Sequence, residues 1–263
     1  MIDWVIAFQG LAILLGLGFL TWLISLVIND VSIVDSVWSL FFVAAAGFYA
    51  LQPAANGPRS VWVICLIALW AVRLCVYLTW RNWGEPEDRR YLQIRQNNQP
   101  HFGLKSLFII FSLQALLAWI ISLPSFSTIK SAVSMGILDA IGICVFLFGV
   151  GFETLADWQM ATFKANPKNQ GRVMDQGLWR YSRHPNYFGE CCVWWGFYLL
   201  ASASGSPIWM LCSPLLMTLL LLRISGVTLL EKDIHERRPA YRDYQMRTSA
   251  FFPLMPKSHR PSV

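Results

Sequence analysis

Long apolar runs limit what this chain can fold into more than any other feature of its sequence. The clearest run, WMLCSPLLMTLLLLRISGVTLL, is interrupted by a single charge, Arg223. A helix needs about 20 mostly apolar residues to cross the hydrocarbon of a bilayer. On this criterion the sequence predicts seven spans, at residues 4–29, 32–52, 60–80, 104–124, 132–155, 187–204 and 207–230.

Composition supports this prediction. Hydrophobic residues make up 56% of the chain and the mean hydropathy is +0.47, as expected of a polytopic membrane protein. The first run is too long for a cleavable signal peptide and has only Asp3 as a nearby charge, so we interpret it as a true span. No internal repeat or soluble domain is visible. We therefore predict an all-α fold, a seven-helix transmembrane bundle that forms one membrane-embedded domain over residues 1–263.

The distribution of Lys and Arg predicts the orientation of this bundle. Of 21 such residues, five lie between spans three and four, five between spans five and six, and seven after span seven, whereas the other loops hold only Arg59 and Lys130. Lys and Arg concentrate on the cytoplasmic side of membrane proteins, so we expect the N-terminus outside and the C-terminus in the cytoplasm. The same asymmetry accounts for the net charge of +6 without a nucleic-acid partner. The three basic segments then face one compartment and can converge over the bundle.

The cysteines do not predict chemistry. All six lie within predicted spans, with no CxxC and no Cys/His ligand spacing. A thiol in apolar surroundings is unreactive, so we interpret them as packing residues and predict no metal site.

Several charged side chains lie within the predicted spans or at their ends. Charges in a bilayer are costly, and they usually face a protein interior or a wet cavity. Arg73 and Tyr77 lie one helical turn apart in span three, and Asp35 opens span two. A structural reading pairs such charges with one another, for example Arg73 with Asp35. The gathering of the whole set at one membrane edge favours a functional reading. The other members are Asp30, Glu153, Asp157, Glu190, Arg223 and Glu231.

The stretch GLWRYSRHPNYFGE places an unusual set of polar groups at the start of span six. Arg180 and Arg183 offer charged, planar forks suited to phosphate, and Asn186 offers both a donor and an acceptor. Pro185 presets the first helical turn and leaves free N–H groups at the helix start. The pattern predicts an anion site there.

Neighbouring residues extend this site. Glu190, one turn into the helix, can accept from a ribose hydroxyl or an amide. Anionic lipid is the alternative ligand, and it suits the tail tip at Lys257 and Arg260, but it does not explain Asn186 and Glu190 among the arginines. Further positive charge is available from Lys164, Arg172, Arg238, Arg242 and Arg247.

Four segments resemble a known family: GLWRYSRHPNYFGE, the WWGFYL that follows it, the upstream ETLADWQMATFK and the tail YRDYQMRTSAFFPLMP. They resemble the bacterial membrane proteins of the domain-of-unknown-function 1295 (DUF1295) group. These belong with the steroid 5-alpha-reductase C-terminal family, and beyond it with sterol C14-reductases and isoprenylcysteine carboxyl methyltransferases. The resemblance covers spans three to seven and the tail. It implies an adenine-containing cofactor at this membrane edge, either NADPH or S-adenosylmethionine.

The resemblance also implies an organisation of the chain. Residues 1–100 supply N-terminal helices with the substrate-cavity candidates, and residues 104–256 form the reductase-like cofactor-binding region. Residues 257–263 form a flexible basic tail.

Roles follow from matching positions. Asp157 and Lys164 stand where the steroid reductases contact NADPH, with Glu153 in place of their asparagine. Asn186 and Glu190 match the family's asparagine and glutamate at the start of helix six. The match at Asp157 and Lys164 favours the reductase branch, whereas the RHPNY motif is shared with the methyltransferases.

The substrate side matches less closely. Arg73 and Tyr77 correspond to an Arg–Tyr pair of helix three, but Trp70 replaces the tyrosine that acts as proton donor in the reductases. Asp35 is the nearest candidate for their glutamate in helix two. Glu231 occupies a position characteristic of the methyltransferase branch.

We therefore predict an integral-membrane oxidoreductase that uses NADPH to reduce an activated carbon–carbon double bond in a lipid or steroid-like substrate taken from the bilayer. The alternatives are an S-adenosylmethionine-dependent methyltransferase acting on a lipid-borne acceptor, and a non-catalytic lipid-binding protein. The expected location is a bacterial inner membrane with the cofactor site facing the cytoplasm, and the only other expected partners are membrane lipids.

The candidate residues fall into three groups. The predicted phosphate contacts are Lys164, Arg180, Arg183 and Arg247, and the predicted ribose or nicotinamide contacts are Asp157, Asn186, Glu190 and Tyr244. Tyr181, His184, Tyr187, Glu231 and Tyr241 are further cofactor-binding candidates. The catalytic candidates are Asp35, Arg73 and Tyr77, of which Tyr77 or Asp35 donates the proton, and Trp38 and Trp70 line the substrate cavity or make lipid or core contacts.

Overall fold

The computed structural model describes residues 2–53, 57–224, 226–227, 231, 234 and 238–257. Regular structure in these residues is helical, apart from one isolated bridge between Ser182 and Ser249. We number the main helices α1 Trp4–Ile28, α2 Ile33–Ala50, α3 Ser60–Asn82, α4 Arg89–Asn97, α5 Phe102–Lys130, α6 Ile137–Ala165, α7 Pro185–Ala203, α8 Ile208–Ile224 and α9 Tyr241–Arg247.

Five of these helices, α1, α2, α3, α5 and α6, are long and apolar enough to cross a membrane. They correspond to the first five predicted spans, so the prediction of an all-helical membrane protein is confirmed. The 19-residue α7 and the shorter apolar helix α8 lie where spans six and seven were predicted. The part of span seven after α8, the helical start of the tail and the tip beyond Lys257 lie largely outside the described residues.

Local chemistry explains several helix boundaries. The side chain of Asp3 accepts hydrogen bonds from the backbone N–H groups of Val5 and Ile6 and so caps α1. α5 continues through Pro124 and contains a π-helical segment, Leu107–Ser112. The hydroxyl of Thr128 donates to the Pro124 carbonyl at 2.7 Å. The helix ends at Lys130, six residues beyond the predicted boundary at residue 124.

The chain divides into two compact units, and the first comprises residues 1–136 and 200–213. The core of this unit lies among α1, α2, α3 and α5. The fully buried guanidinium of Arg59 donates to the carbonyls of Val133, Ser134 and Ala203. A single cation thus joins the segment at Val133 and Ser134 to the end of α7 at Ala203.

The second unit comprises residues 137–199 and 214–263, and in it glycines let α6 and α7 pack closely. A Cβ on Gly149 would lie 2.6 Å from the carbonyl oxygen of Gly189, and one on Gly196 would lie 2.9 Å from that of Gly142. At Gly151, by contrast, no atom lies within 4 Å of a Cβ placed there.

α6 is longer than one crossing of a bilayer requires. Its 29 residues at about 1.5 Å each exceed the roughly 30 Å of hydrocarbon in a bilayer. Part of the helix therefore extends beyond the hydrocarbon.

Candidate functional site

The loop before α7 and the C-terminal tail form one structure in the second unit. Ser182 pairs with Ser249 in the isolated bridge, and the backbone N–H of Arg183 donates to the Ser249 carbonyl at 2.9 Å. The N–H of Leu254 donates to the Tyr181 carbonyl at 3.0 Å. Two of the three basic segments expected to converge therefore do so. The third, residues 81–105, belongs to the first unit.

Glu231 is the centre of this structure. Its two carboxylate oxygens face a fork of Arg183, with Nε at 2.7 Å from Oε1 and Nη2 at 2.9 Å from Oε2. His184 Nε2 lies 2.9 Å from Oε1. The Tyr241 hydroxyl donates to Oε1 at 3.2 Å, and Gln245 Nε2 donates to Oε2 at 3.0 Å. We call these five residues the Glu231 cluster.

The cluster strongly favours an ionised Glu231. Burial on its own raises the pKa of this carboxyl, but hydrogen bonds from His184 and Arg183, and the charge of Arg183, outweigh burial and lower the pKa to about 2. Burial lowers the pKa of Arg183, but the hydrogen bond and charge of Glu231 reverse this effect and raise it. Burial and the negative charge of Glu231 raise the pKa of Tyr241 well above its ordinary value.

Arg183 has little capacity left for a ligand. A guanidinium has five N–H donors. Besides the two contacts with Glu231, Nη1 donates to the carbonyls of Gln245 and Thr248, at 3.0 and 2.7 Å. In this arrangement Arg183 fastens the loop to the tail. Its predicted phosphate contact would use the one remaining N–H.

Tyr244 also joins the tail to the loop before α7. Its buried hydroxyl donates to the carbonyl of Trp179 and lies 3.3 Å from that of Ser182. The hydroxyl predicted to contact ribose or nicotinamide is thus engaged with the backbone of the 177–182 loop. Tyr241 and Tyr244 pack edge to face, with ring centroids 5.3 Å apart.

A second polar group lies at the start of α7, which begins at Pro185 as predicted. Asn186 Nδ2 donates to Asp157 Oδ1 at 3.3 Å, whereas the buried Asn186 Oδ1 has no hydrogen-bond partner among the described residues. Glu190 is buried and accepts from Trp194 Nε1 at 2.9 Å. The buried carboxyl of Glu153 lies on α6, one turn before Asp157. The structure therefore joins Asp157 and Asn186, which the sequence assigned to one site.

The second unit also carries several basic side chains. Arg180 and Lys164 are exposed. Arg247 contacts Asp175 through Nη2, and its Nε is buried without a hydrogen-bond partner among the described residues. Exposed Arg238 donates to the Arg172 carbonyl at 3.4 Å. His184 stacks on Tyr187 with ring centroids 5.5 Å apart.

The substrate-side candidates lie in the first unit. Asp35 accepts from Arg90 Nη2 at 2.6 Å and from the Tyr91 hydroxyl at 2.5 Å, so it acts here as an acceptor. Tyr77 lies between two cations, with the guanidinium carbons of Arg73 and Arg81 each 5.8 Å from its ring centroid.

The two tryptophans predicted to line a substrate cavity differ in burial. Trp70 has no exposed surface and packs edge-on against Phe42, with ring centroids 5.4 Å apart. Trp38 is half-buried and also packs edge-on against Phe42, at 5.2 Å. The contacts of Trp70 are those of a core residue, the alternative role for this position.

Sequence reasoning missed several partners. Arg90 and Tyr91 lie on α4, in a segment that the sequence presented as a charged loop. Asp88 caps that helix by accepting from the Arg90 N–H at 2.9 Å. An Asp directly before RRYLQIRQN is an N-cap signal that could have revealed α4. Gln245 carried no comparable signal for its contact with Glu231.

Comparison with known proteins gives a family but no activity. The model of a family described as a protein of unknown function, DUF1295, matches residues 21–248. An uncharacterised protein of the fission yeast Schizosaccharomyces pombe is 28% identical over 95% of this chain and 80% of its own length. No solved structure matches the chain.

Proposed function

The chain belongs to the DUF1295 family, and we propose that it is an integral-membrane oxidoreductase that uses NADPH to reduce an activated carbon–carbon double bond in a lipid or steroid-like substrate. The observation that carries the proposal is the buried carbonyl oxygen of Asn186, which lacks a hydrogen-bond partner among the described residues. This oxygen lies next to Asp157 and within one turn of Glu190. A buried acceptor without a partner costs about 1–3 kcal/mol, and a donor from a ligand removes that cost.

The residues present fit a dinucleotide. Asn186, Asp157 and Glu190 are acceptors, as the carboxamide N–H and ribose hydroxyls of NADPH require. Arg180 and Lys164 are exposed cations of the second unit and are suited to its phosphates. The buried Nε of Arg247 adds an unused donor.

The chain's own side chains then have distinct roles. NADPH, when bound, supplies the hydride. The Glu231 cluster holds the loop of residues 177–184 against the tail. It thereby fixes the start of α7, which carries Asn186. On the first unit, Tyr77 is the proposed proton donor, because Asp35 is occupied by Arg90 and Tyr91. Arg73, beside Tyr77, is suited to a developing negative charge on the substrate.

Methyl transfer from S-adenosylmethionine is the second candidate. The Asn186 oxygen and the neighbouring carboxylates would also accept from the ribose hydroxyls and ammonium group of that cofactor. The resemblance of Glu231 to the methyltransferase branch supports this alternative. However, Glu231 is engaged by four protein side chains, so we rank methyl transfer second.

The proposal includes a topology. We propose that α7 and α8 complete a set of seven spans, with the N-terminus outside and the C-terminus in the cytoplasm. The site then faces the cytoplasm of a bacterial inner membrane. The excess of Lys and Arg on the predicted inner loops supports this orientation.

Ligand-induced stabilisation of the purified protein tests the proposal. We expect NADPH at about 100 times its Kd to stabilise the folded state by about 2.7 kcal/mol, seen as a higher melting temperature. Stabilisation by S-adenosylmethionine alone would favour the second candidate. No response to NADPH, NADH or S-adenosylmethionine would favour a non-catalytic lipid-binding protein.

Variants locate the binding site. We expect Asn186→Ala to weaken NADPH binding at least about tenfold, equivalent to about 1.4 kcal/mol, and Glu190→Gln to weaken it as well. Lys257→Ala, at an exposed position on the tail, is the control and should leave binding unchanged. Equal small losses in titrations of the three variants would refute the assignment.

The reaction can be identified without knowing the substrate. Lipids extracted from cells with and without the protein are compared by mass. A gain of about two daltons indicates reduction, and a gain of about fourteen indicates methylation.

A further inference from the structure

The C-terminal segment, residues 250–257, exposes an unusual amount of apolar side chain. Phe252 is 62% exposed, Leu254 59% and Met255 82%. These three lie within four consecutive positions of non-helical chain. Single exposed apolar residues are common on protein surfaces, but a contiguous group indicates contact with another apolar phase.

Part of the backbone of this segment is satisfied by protein. The N–H of Leu254 donates to the Tyr181 carbonyl, and the N–H of Lys257 donates to the Arg247 carbonyl at 2.9 Å. The carbonyl of Phe251 accepts from the Ser182 hydroxyl at 2.7 Å. Pro253 and Pro256 have no N–H to satisfy. These features lower the cost of placing this non-helical chain beside an apolar phase, where unsatisfied backbone groups are costly.

Contacts within the second unit place the segment at the depth of hydrocarbon. The ring of Phe252 lies 6.0 Å from that of Phe188 on α7, and Phe188 lies 5.5 Å from Phe152 on α6. Phe152 is 15 residues from the start of α6 at Ile137, about 22 Å along the helix and within a span of roughly 30 Å.

The outer surface of α6 supports this depth. Leu155 and Trp158 follow Phe152 and are both exposed. Trp158 lies six residues further along, about 9 Å nearer the end of the helix, where tryptophan is typical of the boundary between hydrocarbon and headgroups.

We propose that the C-terminal segment is embedded in the bilayer. Phe252, Leu254 and Met255 contact lipid acyl chains in the leaflet at the N-terminal end of α7. Lys257 lies at the end of the segment, and its positive charge complements the phosphates of lipid headgroups. The tail thus contacts the loop of residues 177–184 on one side and the membrane on the other. The inference stands independently of the proposed reaction.

Two methionines in the unmodified protein provide a matched test. Met255 and Met246, 82% and 55% exposed, lie nine residues apart on the same tail. Full-length protein in lipid nanodiscs is treated with hydroxyl radicals generated in the water, and oxidation of each methionine is followed by mass spectrometry.

If water covered both methionines, Met255 would oxidise faster, because oxidation follows exposure. We expect Met255 to oxidise at least about fivefold more slowly than Met246. A rate for Met255 equal to or above that of Met246 overturns the proposal.

Protection by lipid is then separated from protection by protein. A lipid-soluble diazirine, activated by light in the same nanodiscs, labels side chains that face acyl chains. We expect labelling of the peptide that contains Phe252, Leu254 and Met255. Protection from radicals without diazirine labelling means that protein, such as a second copy of the chain, covers the segment, and that result also overturns the proposal.

Discussion

Replacing Glu231 by Gln tests whether the Glu231 cluster stabilises the fold through its charge. The carboxylate accepts from Arg183, Tyr241 and Gln245 and lies beside His184. Gln keeps the size of the side chain but replaces one acceptor oxygen with an NH₂ donor. That donor faces other donors, and the Arg183 guanidinium loses its counter-charge.

The lowered pKa of Glu231 gives the magnitude. It falls from an ordinary value of 4.5 to about 2, and each pKa unit corresponds to about 1.4 kcal/mol. At neutral pH the ionised form therefore contributes about 3 kcal/mol to the free energy of unfolding. Because the folded-state pKa is the lower one, this contribution is fully present above pH 4.5 and is lost as the pH falls toward 2.

The assay compares unfolding of the full-length protein and of Glu231→Gln in mixed micelles between pH 7 and pH 3. We expect a difference of about 3 kcal/mol at pH 7 that shrinks steadily below pH 4.5. Asp243→Asn, which changes an exposed acid on α9, is the control and should change stability by less than about 0.5 kcal/mol. Equal losses in the two variants, or a Glu231→Gln loss that does not depend on pH, would refute the role of the charge.

Substitutions at three further sites, two of them with a control substitution, test contacts within each of the two units. Gly149→Ala should destabilise the protein by about 1–3 kcal/mol because its Cβ meets backbone 2.6 Å away, whereas Gly151→Ala, with open space around its Cβ, should be neutral or stabilising in the same thermal melts. Tyr244→Phe should cost about 1–2 kcal/mol, because it leaves the Trp179 carbonyl without its hydroxyl donor; unchanged stability in denaturant titrations would contradict that role. Arg59→Leu should cost about 3 kcal/mol or more, because it removes three hydrogen bonds donated by a buried guanidinium, and Arg59→Lys should recover part of that loss in parallel unfolding measurements.

The transmembrane helices were predictable because length and apolar content alone decide them. Their ends were harder to predict. α5 passes through Pro124, where the predicted span ended, and α6 runs ten residues beyond the predicted boundary at 155 because a helix does not have to end where the hydrocarbon ends. The π-helical segment of α5 has no recognisable pattern in its sequence.

The candidate site was predictable in part. Asp157 and Asn186 were assigned to one site and lie in contact. The sequence did not pair Arg183 with Glu231, 48 residues away, because many acids and bases lie near the same membrane edge and spacing does not choose among them. The same difficulty explains Asp35, whose cationic partner is Arg90 on α4 and not a residue of the spans. Which of several residues of the same charge pairs with a distant partner of opposite charge depends on tertiary packing.

The tail is joined to the loop of residues 177–184, and this contact affects how genetic data on this protein should be interpreted. A chain that stops before Tyr241 loses the Gln245 carbonyl that accepts from Arg183 and the Tyr241 hydroxyl that donates to Glu231. It also loses the Tyr244 hydroxyl that contacts the backbone carbonyls of Trp179 and Ser182. Nonsense alleles and bulky C-terminal fusions would then resemble lesions in the loop itself, although no residue there has changed. Affinity tags are better placed at the other terminus.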